Sequence, residues 1–533
     1  MPTDYIPFRT TNYFSSLICD YLDEKETLKR FYHRFPNMEN FKLQIEEKQE
    51  AFSVASRSIL VDALKHQYES IDISDLTHSN INALQNSNTF TITTGHQLNL
   101  FTGPMYFFYK IVSAINLSRQ LKLNYPDYNF VPVYWMATED HDFDEINFFN
   151  FQGKKVQWNR EASGAVGELD LSGLDHLLSV FSTQLGETVN ASNIKSLFKD
   201  AYLSHDNLAQ AMRYLVNALF GDQGLVIIDG NDKALKRSFI PYIKDELFTK
   251  TSFENVTTSN VKLNQADSNY KIQVNPRDIN LFYIKDGIRE RIVENHDNYR
   301  VNGTEIIWTR AQLEEEVESH PERFSPNVIV RPLYQEVILP NLCYIGGGGE
   351  LAYWLQLKSN FESQNVVFPI LLLRNSAVLI TDKQHQKLQK LNVNVRDLFM
   401  DQHELKTKVT KQISDIKIDF SSQMRHLKDQ FKALYDLAEQ TEKSFHGAVA
   451  AQERKQIKGL EKLEQRLLKA QKRKLSDHLD RVTHLQDQLF PSYSLQERHM
   501  NFSEFYLELG DDFIPLLLNT LQPLKSEFIV LTI

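Results

Sequence analysis

The chain has 533 residues, too many for one ordinary hydrophobic core, so we expect two or three domains. Its formal net charge of −10 argues against a general nucleic-acid-binding protein, and no stretch approaches the roughly 20 continuous apolar residues of a membrane span. The two cysteines, Cys19 and Cys343, cannot build a disulfide framework or a thiolate zinc site, which favours the reducing cytoplasm. The N-terminal sequence also lacks the basic-then-apolar order of a signal peptide.

The first part of the chain is predicted to be helical. Apolar residues recur at helical spacing in residues 1–88, which we interpret as a segment packed on the core. Strands and helices then alternate over residues 89–381, which predicts an α/β core with a parallel sheet. Gly224–Gly230 and Val366–Leu373 are two of its predicted buried strands.

Two insertions are predicted within this core. The first insertion, about residues 147–220, begins with an irregular hairpin and continues as helices. The second insertion, about residues 268–320, contains several short strand-like runs followed by a helix, with Asp286 and Gly287 as a hairpin turn. We therefore expect a small antiparallel sheet beside the parallel one.

The C-terminal third is dominated by helix-forming residues. Residues 382–490 lack strand signals and proline, which predicts a long coiled-coil hairpin with its turn near Phe445–Gly447. Residues 491–533 are predicted to return to the core, with Phe528–Ile533 as a strand of the main sheet. The leucines that recur on the second helix of the hairpin include Leu460, Leu463 and Leu467.

The first candidate site follows the strand that starts at Thr89. This strand passes through a tight turn at Gly95 into a helix predicted from Pro104, a geometry that presents backbone N–H groups to an anion. We interpret the turn as a phosphate or carboxylate cradle, with His96 as donor or acid. The alternative is a loop histidine satisfied by the backbone. The polar side chains of the turn are Thr94, His96, Gln97 and Asn99.

The second candidate site follows the strand-like run Val131–Ala137. Residues 138–145 contain five carboxylates and one histidine, and burying them without partners would cost several kcal/mol each. Glu139, Asp140 and Asp142 are therefore candidates for holding a substrate amine or Mg²⁺. A solvated acidic loop is the alternative interpretation.

The third candidate site is a four-glycine turn between a strand and a helix. It has neither the GxGxxG pattern nor the lysine of a P-loop. Arg331 and Arg374 each follow an apolar run and could hold a carboxylate or phosphate, the alternative being structural salt bridges. The residues of this group that we assign to binding are Gln335, Gly346, Gly347, Gly348, Gly349, Glu350, Tyr353, Trp354, Arg374, Asn375 and Ser376.

These motifs resemble the bacillithiol-biosynthesis cysteine-adding family (bacillithiol synthase), and the resemblance spans nearly the whole chain. One departure is that many relatives read Gly-Gly-Pro-Gly-Glu where this chain has Gly347-Gly348-Gly349-Glu350. The matching stretches include TGHQLNLFTGPMYFFYK, VPVYWMATEDHDFDEIN, NLFYIKDGIRERI, ERFSPNVIVRPLYQE, YIGGGGELAYW, FPILLLRNS and LQERHMNF.

The resemblance implies a Rossmann-like core related to nucleotidylyltransferases and class I synthetases, with insertions and a coiled coil, in a homodimer. It also implies a ligase that joins L-cysteine to glucosaminyl malate to give bacillithiol. Thr94-Gly95-His96 resembles the second half of the HxGH signature of that superfamily. A nucleotide (ATP or ADP) and Mg²⁺ are the candidate cofactors.

We accordingly assign catalysis to His96, Asp140 and Arg331, with small-molecule substrates and neither nucleic acid nor membrane as partners. His96 would stabilise developing charge, and Arg331 or Arg374 would hold a carboxylate or phosphate. Two alternatives stay open at this stage. One is a nucleotidyl- or sugar-transferring enzyme on the same fold, and the other is a scaffold protein that acts through its coiled coil.

Overall fold

The computed structural model describes residues 3–285, 287–296 and 298–533. The chain divides into two compact units. The larger unit holds Pro7–Ala377 and Leu495–Ile529, and the smaller holds Val378–Ser494 and Val530–Ile533 with the described residues before Pro7. In the described part of the chain, no helix is both long and apolar enough to cross a bilayer.

Strands and α-helices are numbered separately in chain order. The strands are β1 Thr3–Pro7, β2 Thr89–His96, β3 Asn129–Met136, β4 Phe148–Phe151, β5 Lys154–Gln157, β6 Val226–Asp229, β7 Leu281–Lys285, β8 Ile288–Asn295, β9 Asn298–Val301, β10 Ile307–Thr309, β11 Phe324–Pro326, β12 Asn341–Gly346, β13 Ile370–Leu373, β14 Ala377–Ile380 and β15 Glu527–Thr532. The first helices are α1 Ser16–Leu22, α2 Met38–Ala51, α3 Val54–Gln67, α4 Asp75–Ala83, α5 Tyr106–Asn124, α6 Phe143–Ile146, α7 Leu174–Leu185, α8 Val189–Tyr202, α9 Leu208–Phe220, α10 Lys233–Arg237, α11 Ile240–Phe248 and α12 Thr251–Ala266. The remaining helices are α13 Arg310–Ser319, α14 Arg331–Ile338, α15 Gly348–Trp354, α16 Lys358–Ser363, α17 Asp382–Lys390, α18 Gln402–Ile413, α19 Ser421–Glu439, α20 Lys443–Lys474, α21 Ser476–Leu489, α22 Phe502–Leu509 and α23 Phe513–Thr520.

A five-stranded parallel sheet forms the centre of the larger unit. Its order is β13-β12-β2-β3-β6, and every neighbouring pair is parallel. The chain lays down β2, β3 and β6 in one direction and then adds β12 and β13 on the other side of β2. This reversal creates a topological switch point between β2 and β12, the place where open α/β sheets bind ligands. The sheet confirms the predicted parallel α/β core.

Every residue of β2 is buried, including its threonines. Buried hydroxyl groups need hydrogen-bond partners, and these find them on β12. Thr91 and Thr93 both donate to Oδ1 of Asn341. Thr94 donates to the carbonyl oxygen of Ile345 at 2.8 Å. The β-branched polar run thus ties the two strands on either side of the switch point.

The two bonds to Asn341 measure 3.2 Å from Thr91 and 2.8 Å from Thr93. Both reach the first residue of β12, so they fix where that strand starts against β2.

Two predicted strands are shorter than expected. The run Gly224–Gly230 yields β6 alone, and β13 begins only after Pro369, which has no N–H to give to a ladder.

A tight turn was predicted at Gly95, but Gly95 and His96 pair with Trp135 and Met136 as the last residues of β2. Helix α5 begins at Tyr106, two residues after the predicted start at Pro104. The preceding loop is held by the C-terminal part of the larger unit. The side-chain amide of Asn501 donates to the carbonyl oxygens of Phe101 and Gly103 at 2.8 and 2.7 Å. Gly103 has a φ of +63°, a left-handed conformation that suits glycine. The loop is therefore fixed before the helix can start.

The predicted small antiparallel sheet is confirmed. Strands β4 and β5 form a hairpin, and a separate five-stranded sheet has the order β10-β9-β8-β7-β11 with antiparallel neighbours. The hairpin turn was predicted at Asp286 and Gly287. Asp286 lies outside the described residues, while Gly287 has the positive φ of +78° that a tight turn requires.

The apolar run before Arg331, residues 328–330, forms a turn and not a strand. After β11 the chain turns at Asn327, whose side chain accepts from the N–H of Ile329 at 2.8 Å and whose carbonyl accepts from the N–H of Arg331 at 2.8 Å. Pro332 then occupies the first turn of α14, where a missing N–H costs nothing. Arg331 therefore starts a helix instead of ending a strand.

The smaller unit contains the predicted helical hairpin, formed by α19 and α20. The two helices are joined by residues 440–442, so the turn comes a few residues before the predicted Phe445–Gly447. Phe431, Ala438 and Val449 are buried between the helices. The hydroxyl of Tyr435 on α19 also donates to Glu453 on α20 at 2.8 Å. Phe445 already lies inside α20 because the helix begins directly after this short connection.

The final strand does not join the main sheet, contrary to the prediction. β15 lies between β1 and β14 in a three-stranded sheet of its own. The N–H of Ile533 donates to the carbonyl oxygen of Ile380 at 2.9 Å. The partner strand β1 had no clear signal in the sequence, so the second sheet could not be foreseen.

Candidate active site

The candidate site lies at the switch point, where β2 and β12 end side by side. β2 ends at His96 and β12 ends at Gly346, with Thr94 paired to Ile345 in the ladder. Helices α5, α14 and α15 bring further side chains to this place. The polar and aromatic side chains that meet there are His96, Lys110, Arg331, Tyr344, Glu350, Tyr353 and Arg374.

A largely buried ion pair joins α5 to α15. Nζ of Lys110 lies 2.6 Å from Oε2 of Glu350 and donates to the carbonyl oxygen of Gly95 at 2.7 Å. Glu350 also accepts from the N–H of Gly347 at 2.8 Å and from the hydroxyl of Tyr344 at 2.7 Å. Burial acts to raise the pKa of Glu350, but Lys110 and the other two donors outweigh it, so this pKa lies below its usual value. The carboxylate is therefore ionised and held from three sides.

His96 is buried at the end of β2, and its Nε2 has no hydrogen-bond partner among the described residues. The imidazole ring packs against Tyr106 and Phe107, with ring centroids 5.3 and 5.2 Å apart. Burial, followed by the positive charges of Lys110 and Arg374, holds the pKa of His96 well below its ordinary value. The imidazole is consequently neutral at pH 7 and presents a polar nitrogen without a partner.

Among the described residues, no carboxylate lies within 4.0 Å of the Arg331 guanidinium, so its charge is not neutralised by an ion pair. Its Nη1 donates to Oε1 of Gln335 at 3.1 Å, and its Nη2 lies 3.5 Å from the hydroxyl of Tyr353. The guanidinium also lies 5.8 and 5.9 Å from the ring centres of Trp135 and Tyr344. Neutral groups thus orient the guanidinium and leave its charge available for an anion.

A polar network behind Arg331 fixes the amide that orients it. Nε2 of Gln335 donates to Oε1 of Glu336 at 3.0 Å, which turns the amide oxygen of Gln335 toward Arg331. Glu336 also accepts from Asn341 at 2.6 Å and from the buried ammonium of Lys48 at 3.2 Å. An acceptor-only carboxylate can bond the amide only through its NH₂ group. The network therefore decides which end of Gln335 faces the site.

Arg374 is anchored by a residue from the C-terminal segment. Its Nη2 lies 2.7 Å from Oε1 of the fully buried Glu497, and its Nη1 donates to the hydroxyl of Ser376 at 3.0 Å. The remaining donor, Nε, is buried and has no partner among the described residues. A side chain on Gly347 would begin 3.6 Å from this Nε. The free N–H thus lies beside the glycine turn.

The glycine run joins β12 to α15 as predicted, but the turn is shorter than four glycines, because Gly346 ends the strand and Gly348 and Gly349 begin the helix. A Cβ on Gly346 would lie 2.9 to 3.0 Å from Leu351, Glu350 and Tyr344, so no side chain fits there. A Cβ on Gly349 would meet nothing within 4 Å. Trp354 points away into the core, where it is fully buried and packs on Tyr344 with centroids 4.5 Å apart. It supports the site from behind and does not line it.

The acidic cluster after β3 is already engaged by protein groups. Glu139 forms an ion pair with the fully buried Lys236, which also donates to the carbonyl oxygen of Phe324 at 2.7 Å. Asp140 accepts from Nε2 of Gln97 at 2.9 Å, while Asp142 is exposed. Burial acts to raise the pKa of Asp140, but hydrogen bonds from its neighbours outweigh it, and the pKa lies below its usual range.

The donor chemistry of this cluster does not fit a metal ion. No group of three or more His, Cys, Asp or Glu side chains is placed to hold a metal in the part of the chain that the structure describes. Glu139 is neutralised by a lysine, and Asp140 accepts hydrogen bonds. Of the three candidate ligands Glu139, Asp140 and Asp142, only the exposed Asp142 has a carboxylate with no hydrogen bond or ion pair among the described residues, so we assign no step to Mg²⁺.

Three predicted binding residues have their side chains bonded inside the fold. Thr94 donates to β12, and Ser376 binds Arg374. Asn375 donates to the carbonyl oxygen of Gln522 at 2.9 Å and accepts from the hydroxyl of Ser113 at 3.1 Å. Asn99 differs from them, because its buried Oδ1 has no partner among the described residues.

Several residues of the site were not predicted from the sequence. Lys110 had a usable signal, because it is a single charge in an otherwise apolar helical stretch that a buried helix rarely tolerates. Glu497 had none, since its partner Arg374 is 123 positions away. Lys236 and Lys48 likewise meet their carboxylates only through the fold.

Comparison with known families covers the chain from end to end. The family description "Bacillithiol biosynthesis BshC, N-terminal Rossmann-like domain" matches residues 1–375, and "Bacillithiol biosynthesis BshC, C-terminal coiled-coil domain" matches residues 377–533. The chain belongs to the bacillithiol biosynthesis BshC family. The resemblance seen in the sequence motifs is thereby confirmed, as are the Rossmann-like core and the coiled coil.

Relatives within the BshC family match over their whole length. A protein of Flavobacterium johnsoniae is 58% identical over 533 residues, with all of both chains covered. A protein of Christiangramia forsetii is 56% identical over all of this chain and 99% of its own. A protein of Chlorobaculum tepidum is 28% identical over 98% of each chain. All three carry the name "Putative cysteine ligase BshC".

Proposed function

We propose that this chain is a cysteine ligase that forms an amide between the carboxyl group of L-cysteine and the amine of glucosaminyl malate, the last step to bacillithiol. Membership of the BshC family supports this reaction. The observation that carries it is Arg331, a cation at the switch point oriented only by neutral groups. Such a cation suits a substrate carboxylate or the phosphate that activates it.

An amine does not readily attack a free carboxylate, so the cysteine carboxyl group needs activation. A nucleotide supplies, when bound, the chemistry that turns a carboxylate oxygen into a leaving group. Nε of Arg374 and Nε2 of His96 are buried polar atoms without partners among the described residues, and both fit phosphate or carboxylate oxygens. These two atoms and Arg331 are the groups that would hold the nucleotide and the activated carboxyl group.

His96 is suited to stabilise charge and not to take a proton. Its depressed pKa keeps the imidazole neutral, so it acts on a developing oxyanion as a hydrogen-bond donor. Asp140 also has a depressed pKa, which makes it a weak base and a persistent negative charge. We assign Asp140 to holding the ammonium form of the acceptor amine before the reaction.

The test is a direct assay of the purified protein with L-cysteine, glucosaminyl malate and ATP, with the product followed by mass spectrometry. We expect the mass of bacillithiol, dependent on all three additions. His96→Ala should abolish most of it, whereas His66→Ala, which changes a 74% exposed imidazole, should not. A nucleotidylated or glycosylated product would favour the transferase alternative. No product with any nucleotide would contradict the ligase.

We also propose that the protein is a cytoplasmic homodimer. Two free cysteines, both buried, support a reducing compartment. Large apolar side chains left exposed on the helical hairpin support a second copy as partner. The hairpin helices are α19 and α20, and the exposed residues on them are Leu434, Leu437, Phe445 and Leu463.

A further inference from the structure

A cavity of about 220 Å³ lies beside the four-glycine turn in the larger unit. Gly348 and Gly349 form part of its wall, so it adjoins the switch point through the first residues of α15. The volume is below the roughly 300 to 1,000 Å³ of pockets that enclose a whole drug-sized ligand. It suits one end of a larger substrate whose other end reaches the site.

The charged side chains that line the cavity are all basic. Lys271 and Arg498 belong to its wall, and no aspartate or glutamate does. This is unexpected in a chain with a net charge of −10. Among the described residues, neither cation donates a hydrogen bond or lies within 4.0 Å of a carboxylate. Two cations without partners in one concave place attract an anion.

The rest of the wall is compatible with a small polar ligand. Ser15 and Ser16 contribute hydroxyl groups, and both residues are exposed. Gly349 leaves open space, because a side chain there would meet nothing within 4 Å. A Cβ on Gly348 would lie 3.5 Å from Ile18, so the turn already contacts α1, the helix that Ser15 caps and Ser16 begins.

We propose that this cavity binds the carboxylates of the acceptor substrate, with Arg498 and Lys271 as their partners. The inference rests on the proposed function, in which the acceptor carries a malyl group with two carboxylates. Its amine then extends past the glycine turn toward Arg331 and His96. Recognition of the acid end here sets specificity for the acceptor, while the switch point handles the cysteine carboxyl group.

Calorimetric titration of the full-length protein with L-malate alone tests the site without turnover. We expect Arg498→Gln and Lys271→Gln each to weaken malate binding about 10-fold, the size of one lost charge-assisted hydrogen bond. Arg300→Gln removes an exposed cation outside the cavity and should leave binding unchanged. A parallel titration with inorganic phosphate separates the two anions. Phosphate that binds more tightly than malate, with the same sensitivity to the variants, would overturn the carboxylate assignment.

Steady-state kinetics supplies a second readout. Both variants should raise KM for glucosaminyl malate about 10-fold, with kcat and KM for L-cysteine nearly unchanged. An unchanged KM for the acceptor in an active enzyme overturns the subsite and leaves the ligase intact. If no ligation occurs but malate binding depends on Arg498 and Lys271, the proposed function fails and the anion site stands.

Discussion

Nζ of Lys110 lies 2.6 Å from Oε2 of Glu350, and the same ammonium binds the carbonyl oxygen of Gly95 at 2.7 Å. One lysine therefore joins the end of β2 to the start of α15. The same charge also supports the turn before α15, since Glu350 accepts a hydrogen bond from the N–H of Gly347.

Breaking this pair should be costly, because removal of one partner leaves an uncompensated buried charge. We expect Lys110→Met to lower the free energy of unfolding by about 3 to 5 kcal/mol, measured by urea denaturation. The double variant Lys110→Met, Glu350→Gln should recover part of that loss and none of the activity. Equal stability of the single and double variants would show that the two charges do not interact.

His96→Ala should lower the rate of bacillithiol formation by about 100-fold or more while the chain stays folded. The reason is the loss of a neutral donor at the position where negative charge develops. Turnover and circular dichroism of the variant are the measurements, with His66→Ala as the matched control. Near-normal turnover by folded His96→Ala would exclude the residue from the mechanism.

The buried neutral imidazole also predicts a pH effect on stability. The pKa of His96 is lowered in the folded state, so below the unfolded value of about 6.5 the unfolded chain takes up a proton that the native state refuses. The stability tied to this group is present above that pH and is lost as pH falls, by up to about 1.4 kcal/mol per unit. The gap in urea midpoint between wild type and His96→Ala should shrink from pH 7.5 to 5.5. A difference in urea midpoint that does not change with pH would contradict this prediction.

Arg331→Gln should raise KM for L-cysteine or for the nucleotide about 10- to 100-fold, because charge-assisted hydrogen bonds to an anion are lost. Little stability should be lost with it, since the guanidinium has only neutral partners. Arg300→Gln is the control. Unchanged KM values for both substrates would remove Arg331 from binding.

Changing Asp140 and Asp142 together to Asn should weaken substrate binding and leave the melting temperature within a few degrees. Asp140 should carry most of the effect, because it is held by Gln97 whereas Asp142 is exposed. The single variants, compared by KM for the acceptor, separate the two. Equal kinetics in wild type and the double variant would favour a solvated acidic loop.

Light scattering at micromolar concentration should show a homodimer. Leu463 is 52% exposed and Leu437 is 55% exposed, which leaves an apolar surface on the hairpin for a second copy. Leu463→Glu and deletion of residues 420–488 should both favour the monomer, while Lys462→Glu should not. A monomeric wild type contradicts the dimer, and a dimeric deletion variant contradicts the part of the hairpin in it.

The sequence was most informative where the signal was local. The strand that starts at Thr89 and the glycine run at Gly346 were predictable, because strand burial and glycine conformation depend on near neighbours. The tight turn predicted at Gly95 was wrong, since Gly95 and His96 still pair with β3 as the last residues of β2. The helix that begins at Arg331 was not predicted, since the apolar run before it reads equally well as a strand or a buried turn. Pairings such as Arg374 with Glu497 could not be predicted, because buried charges find their partners through tertiary structure.

Glu497 and Asn501 are synthesised late, although the groups that they hold lie much earlier in the chain. The ribosome makes Arg374 and the loop at Phe101 long before the residues that hold them. Until then, a guanidinium destined for the interior has no carboxylate, and the loop before α5 lacks its two amide bonds. The polar groups around the switch point can therefore find all their partners only when the chain is nearly complete. A product truncated before residue 497 would expose these unsatisfied groups, so we expect cellular proteases to degrade it.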